Sequence, residues 1–279
     1  MTDSYELRPG VPQRLDDAVT RIIAPNGGMM TGAGTNTYLV GTRELVVIDP
    51  GPDDESHIQA ILAAAAGRIR WILCTHTHLD HAPGAHRLKQ LSGAPVSAML
   101  PPRTDHDFEL SVDRVLADGD TVECADVVVR AVHTPGHASN HLCYLLTRNR
   151  MLFTGDHIMQ GSTVVIWPPD GNMRAYVDSL TALLKIELAV LAPGHGRLIE
   201  QPHDELSRLI QHRLRREDKV RQAVIRAGTG VTLEALLPSA YDDVSESLLK
   251  WAALSLQAHL DKLVQDGELR CDAGRYCAS

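Results

Sequence analysis

Three histidines and one aspartate fall within six positions of this 279-residue chain, in the run Cys74-Thr-His-Thr-His-Leu-Asp-His81. The apolar segment Trp71 to Thr75 reads as a short buried strand, and Pro83 suits the first turn of a helix that ends near Gly93. The run therefore joins a strand to a helix. In an extended segment, residues two apart point to the same side, so the imidazoles of His76 and His78 can reach one metal ion. Asp80 and His81 lie in the turn and can diverge from that pair toward a second ion. Imidazole with carboxylate suits zinc, and also iron or manganese, better than calcium or magnesium.

The same design recurs downstream. Thr134-Pro-Gly-His137 follows a strand ending at Val132, Thr154-Gly-Asp156 follows Met151-Leu-Phe, and Pro193-Gly-His195-Gly follows Ala189-Val-Leu-Ala. The glycines permit tight turns and close backbone approach to a ligand. Each candidate ends a strand and enters a loop, which would collect His76, His78, Asp80, His81, His137, Asp156 and His195 along one sheet edge. Of the other histidines, His57, His86, His106, His203, His212 and His259 read as solvated or helix-surface groups. His133 and His141 flank the His137 loop and suit structural hydrogen bonds. His157 either lines the cleft or points away from it. Cys74 reads as a core residue.

The first two-thirds of the chain alternate short apolar runs with helical patterns. Strands are expected at Val19 to Ala24, Tyr38 to Val40, Leu45 to Ile48, Val127 to Val132, His141 to Leu146, Met151 to Thr154 and Ala189 to Ala192. A helix capped by Asp53 or Asp54 should carry Ile58, Ile61 and Leu62 inward and stop at Gly67. Another should span Ala175 to Leu188 with Tyr176, Leu180, Leu183 and Leu184 inward. This is an α/β pattern, with sheets covered by helices. The character changes near residue 203. A long arginine-rich helix, His203 to Ala227, is followed by helices at Thr232 to Leu237 and Glu246 to Asp266. A hairpin turning at Ala273-Gly274 ends the chain and gives it the look of a winged helix-turn-helix. The expected division is 1–205 and 206–279.

Composition narrows the partners. The net charge is -8, and residues 229–279 set Lys250, Lys262, Arg270 and Arg275 against eight acids, which argues against a nucleic-acid-reading tail. A packing or dimerisation element suits that tail better. The one basic run, with Arg213, Arg215, Arg216, Lys219 and Arg221, reads as a solvated helix face with Glu217 and Asp218 interleaved, or else as a phosphate-tracking ridge beside the cleft. No continuous apolar stretch is long enough for a membrane span. The start has no basic n-region or apolar h-region of a secretory signal. Five scattered cysteines suggest reduced thiols, so a cytoplasmic location is expected.

The run Thr-His-Thr-His-Leu-Asp-His with His137, Asp156 and His195 resembles the metallo-β-lactamase superfamily of hydrolases. Similarity is greatest to its beta-lactamase-like protein two group, through Gly34-Thr-Asn-Thr-Tyr-Leu-Val-Gly, Phe153-Thr-Gly-Asp-His-Ile-Met-Gln-Gly and Leu191-Ala-Pro-Gly-His-Gly-Arg. The resemblance extends into the winged C-terminal region. It implies a four-layer αβ/βα sandwich with the metal site at one edge of two sheets. It also implies that His76, His78 and His137 hold one zinc, that Asp80, His81 and His195 hold a second, and that Asp156 bridges them. Asp49, in Ile48-Asp-Pro-Gly-Pro, matches a carboxylate that orients a ligating imidazole. Asn36 matches a cleft-edge loop.

Two adjacent cations lower the pKa of a shared water and hold hydroxide as a nucleophile, which Asp80 can orient. A hydrolase of a small ester, thioester or lactone is therefore expected. Members of the resembled group include an endoribonuclease acting on single-stranded RNA, and related sequences include thioesterases that release polyketides. RNA cleavage at the same centre is the alternative. Cleft walls are expected from the segment Pro101 to Asp120 and the loop Gln160 to Asn172, in which Trp167-Pro-Pro either forms an apolar wall or only packs.

Overall fold

A computed structural model describes residues 6–101, 108–228 and 230–279. His106 and part of the expected cleft segment lie outside the described residues. The chain forms two compact units. One comprises Met1–Thr134, Asn140–Ser162 and Glu187–His203; the other comprises Pro135–Ser139, Thr163–Ile186 and Asp204–Ser279.

The first unit holds a seven-stranded sheet in sequence order: β1 (Gln13–Arg14), β2 (Val19–Ile23), β3 (Asn36–Val40), β4 (Leu45–Ile48), β5 (Ile69–Leu73), β6 (Val96–Ala98) and β7 (Arg114–Val115). Pairing is antiparallel from β1 to β4 and parallel from β4 to β7. Parallel connections require crossovers; α1 (Glu55–Ala65) joins β4 to β5 and α2 (Gly84–Ser92) joins β5 to β6. Asp54 starts α1 by accepting the His57 amide at Oδ1, 2.9 Å, and Ala66 closes it in the left-handed conformation.

Side chains alternate along these strands, and both faces are apolar. Leu45 and Val47 join Ile58, Ile61 and Leu88 of the helices, while Val46 and Ile48 face the other way. That other face meets a second sheet, ordered β12-β11-β10-β9-β8 and built from β8 (Thr121–Glu123), β9 (Val128–His133), β10 (Leu142–Leu146), β11 (Met151–Gly155) and β12 (Val190–Pro193). Val129, Ala131, Leu142, Tyr144, Leu146, Met151 and Phe153 fill the space between the sheets. Strands buried on both sides read as continuous apolar runs, which is why they stand out in the sequence.

The second unit contains α3 (Met173–Leu183), α4 (Pro202–Ala227), α5 (Leu233–Ala240), α6 (Leu249–Gln265) and the hairpin β13 (Leu269–Asp272) with β14 (Arg275–Ala278). Ala273 and Gly274 both have positive φ, 47° and 74°, as a two-residue hairpin turn requires. Val231 adds a bridge to Tyr276, completing a small wing. Val220, Val224, Leu236, Leu256, Leu260 and Tyr276 form the core. Helix α3 starts earlier than the sequence pattern indicates, because Asn172 caps it by accepting the Ala175 amide at Oδ1, 3.0 Å. It also ends earlier, at Leu183, and Leu184 is only half-buried.

Two further expectations are corrected by burial. His57 is not a surface group. It lies one residue before Ile58 on the inward side of α1, fully buried, with Nε2 2.8 Å from Thr37 Oγ1. The Thr37 hydroxyl donates to the Asp49 carbonyl at 2.6 Å, so its oxygen accepts from His57 Nε2–H. His259 is likewise buried, on the inner side of α6, with Nδ1 3.6 Å from Glu217.

The basic run on α4 is neither a solvated face nor a ridge of free cations. Arg213 is buried, donates to the Val164 carbonyl at 2.5 Å and stacks over Tyr176 at 5.1 Å. Arg216 is buried over Tyr241 at 4.2 Å and binds both carboxylate oxygens of Asp243 at 2.8 and 2.9 Å. Only the periodicity of α4 distinguishes these two from exposed Arg215, and charge alone hides that periodicity.

Candidate metal centre

Every candidate ligand sits just beyond the end of a strand. His76, His78, Asp80 and His81 follow β5, Asp156 follows β11, and His195 follows β12. His137 lies in the short loop after β9, within the second unit. Asp49 follows β4 with φ 51°, a left-handed conformation that turns its carboxylate toward the same edge.

Two groups of ligand atoms converge. One comes from Asp80, His81, Asp156 and His195, the other from His76, His78 and His137, and within each group the atoms lie within 4.8 Å of one another. In the first, His81 Nε2 is 3.3 Å from His195 Nε2 and 3.3 Å from Asp156 Oδ1. His195 Nε2 is 3.2 Å from both Asp80 Oδ2 and Asp156 Oδ1. In the second, His76 Nε2 stands 3.0 Å from His78 Nδ1.

The opposite ring nitrogens face acceptors, which places a proton on Nδ1. His81 Nδ1 faces Asp49 Oδ2 at 2.9 Å, His195 Nδ1 faces the Gly34 carbonyl at 3.3 Å, and His137 Nδ1 faces the Val165 carbonyl at 2.8 Å. Thr75 completes the pattern. Its amide and hydroxyl donate to Asp49 at 2.7 and 2.8 Å, so its oxygen accepts from His76 Nδ1, 3.0 Å away. An imidazole that donates through Nδ1 presents a lone pair at Nε2. His76, His81, His137 and His195 thus each offer Nε2 as a ligand atom. Lone pairs and carboxylate oxygens packed at these distances repel one another unless protons or a metal cation lie among them, and this donor set fits a metal ion of the zinc, iron or manganese type.

The electrostatics agree. Burial opposes charge on His81, yet Asp80, Asp156 and Asp49 raise its pKa well above the usual imidazole value. Burial also opposes charge on His195, but Asp156 and Asp80 push it up to about 9. Burial disfavours ionised Asp156, and His195 and His81 still hold it well below the usual carboxylate range. The Asp80, His81, Asp156 and His195 group therefore favours positive charge at its centre. At His76, burial and the neighbouring rings of His81, His78 and His141 lower the pKa, which keeps the ring neutral.

The surrounding backbone is tightly fitted. A Cβ at Gly194 would stand 2.7 Å from His81 Cε1 and 3.0 Å from Asp156 Oδ1. Asn36 is buried; its amide donates to the Pro193 and Gly196 carbonyls, each at 2.9 Å, on either side of His195. Tyr38 holds the Pro193 carbonyl at 2.7 Å. His141 takes the structural role expected of it, with Nδ1 2.9 Å from Thr134 Oγ1, and His157 is fully buried. Cys74 is core, its thiol pKa raised by burial. Sequence reasoning missed Thr75, although a hydroxyl directly before a ligand histidine is a usable signal. The Gly34 and Val165 carbonyls left none, because any residue supplies one.

Residues 30–195 match the metallo-beta-lactamase superfamily, and residues 232–275 match the beta-lactamase associated winged helix domain. The chain belongs to the metallo-beta-lactamase superfamily of hydrolases and has its mixed α/β fold, followed by a winged-helix domain. It is 31% identical over 271 residues to the beta-lactamase-like protein 2 homolog of Drosophila melanogaster, covering 92% of this chain and 91% of that protein. Over 251 residues it is 32% identical to the atrochrysone carboxyl ACP thioesterase of Aspergillus chevalieri, covering 86% of this chain and 78% of that one. A beta-lactamase domain protein from Burkholderia ambifaria has the same fold, with a TM-score of 0.81 at 18% identity over 99% of this chain and 96% of its own.

Proposed function

We propose that this protein is a dinuclear zinc hydrolase of small-molecule acyl substrates, with a thioester as the best-supported class. The observation that carries the reading is the fixed set of Nε2 lone pairs and carboxylate oxygens in two adjoining groups. His76, His78 and His137 would hold one ion, Asp80, His81 and His195 the other, and Asp156 would be shared. When bound, such ions lower the pKa of water and polarise the substrate carbonyl as Lewis acids. The chain's own side chains do the rest. Asp49 and Thr75 hold two ligand rings in register, and the Asn36 clamp keeps the His195 loop from moving. The Asp80 side chain is 30% exposed against 12% for Asp156, so it is the carboxylate that incoming water reaches and the one we assign to orienting it. Hydrolysis places the water's OH on the acyl carbon and its proton on the leaving sulfur.

The substrate class rests on the thioesterase relative and on charge. The chain carries -8, and Arg213 and Arg216 are spent inside the second unit, which weakens the case for single-stranded RNA as substrate. We also assign the protein to the cytoplasm, because all five cysteines are free thiols. No helix among the described residues is long and apolar enough to cross a membrane. The test is hydrolysis of an acyl-thioester panel beside labelled single-stranded RNA, using native protein and His76→Ala. Thioester cleavage lost in the variant supports the proposal; RNA cleavage lost in the variant, with intact thioesters, would replace it.

A further inference from the structure

Two of the three tryptophans meet on the second unit's surface, beside the loop that holds His137. Trp167 is 38% exposed, and its ring meets Trp251 edge to face, with centroids 6.4 Å apart at 73°. Lys250 is exposed, with Nζ 4.6 Å from the Trp251 ring centre, and has no carboxylate partner among the described residues. Leu248, one helical turn before Trp251, is 39% exposed. An exposed indole on a half-buried one, flanked by an exposed leucine, is apolar surface of the kind that binding sites use.

This surface is rigidly tied to a candidate ligand. The Val165 carbonyl that fixes His137 is two residues from Trp167. Asp170 accepts the Ser139 amide at 2.8 Å, and the Gly136 carbonyl accepts the Asn172 amide at 2.8 Å. The loop closes on itself through Gly171, whose amide donates to the Trp167 carbonyl at 2.8 Å; a Cβ there would lie 2.4 Å from Trp167 N. The backbone that carries Trp167 is therefore tied to the His137 loop.

A thioester has two halves, and the carrier half must leave the centre across the protein surface. Two indole faces and edges suit an extended, amide-bearing arm, and one unpaired ammonium suits one phosphate. A polynucleotide would need a track of cations, and this patch offers one in an acidic chain. We infer that Trp167, Trp251 and Lys250 bind the phosphorylated, pantetheine-type carrier arm of the substrate, with its phosphate at Lys250. The inference rests on the thioester reading above.

The test compares acyl-4′-phosphopantetheine with acyl-pantetheine, which differ only in the phosphate, on metal-loaded protein. Native protein is expected to favour the phosphorylated substrate about fivefold in kcat/KM, the size of one exposed charge pair. Lys250→Met should bring that ratio close to one, and Lys250→Glu should invert it. Trp251→Ala should raise KM for both pantetheine substrates relative to an acyl-N-acetylcysteamine thioester. Acyl-coenzyme A and an acylated carrier protein, run in parallel, tell which source of the arm is preferred. A ratio near one in native protein, or one that survives Lys250→Met, overturns the inference while leaving the thioester reading intact. Failure to cleave any thioester sinks that reading and the inference together. Single-stranded RNA binding that Lys250→Met abolishes would reassign the surface to nucleic acid and overturn the inference.

Discussion

Asp49 accepts three hydrogen bonds in the site and coordinates nothing in the proposed assignment. Replacing it by alanine strands buried donors on His81 and Thr75. We expect Asp49→Ala to cost ~3–5 kcal/mol, as for a broken buried pair, and to weaken metal binding roughly 10- to 100-fold. Urea unfolding and chelator competition measure the two effects. Gly194→Ala should reduce metal affinity with helix content unchanged, since the new methyl meets His81 and Asp156; native affinity would mean that the loop shifts freely. At this scale the sequence was most legible for the candidate ligands, which the fold brings into two groups. They are rare side chains at strand ends, next to glycines that allow sharp turns. Their supports were harder to see. Asp49 was visible only through resemblance, Thr75 was hidden in a strand-like run, and two of the acceptors are backbone carbonyls.

Elements were legible where burial was two-sided. β4 and β5 show as apolar runs because helices cover one face and a second sheet covers the other. Helices were legible by period, but not in what their polar residues do. His57, His259, Arg213 and Arg216 all looked like surface groups, because charge or polarity says nothing of which side of a helix a residue occupies. Their burial has measurable consequences. His57 and His259 are pushed down to about 4, chiefly by burial. The unfolded chain protonates these groups near ~6.5 while the folded protein does not, so their contribution is unfavourable as the pH falls from about 6.5 toward 4 and constant below. Stability should drop across that window by up to ~3 kcal/mol per histidine. His259→Phe should flatten the urea midpoint's dependence on pH; an unchanged slope would show that His259 is not held neutral. Arg216→Met removes the bidentate pair with Asp243 and the ring contact with Tyr241. It should destabilise the winged unit by ~2 kcal/mol, read as a lower unfolding midpoint.

Across the whole molecule, sequence reading placed a catalytic part before a winged helical part. Within the described structure, residues 135–139 and 163–186 group with the C-terminal helices in one compact unit. Nothing in local pattern reveals such a grouping, because it depends on which distant helix a loop packs beside. One result is that His137 and the Trp167 loop share a unit with α6. If two ions bind as proposed, stability should be linked to them. Chelation should lower Tm by several degrees, and adding zinc should restore it.

The proposed chemistry needs a pair of metal ions held by histidine and carboxylate, and elemental analysis of the purified protein counts them without any substrate. About two equivalents of zinc, iron or manganese per chain are expected, falling to about one or fewer in His76→Ala and in His195→Ala, each with its fold retained. Near-zero metal in native protein after metal-replete purification, or undiminished metal in both variants, would rule out the dinuclear centre.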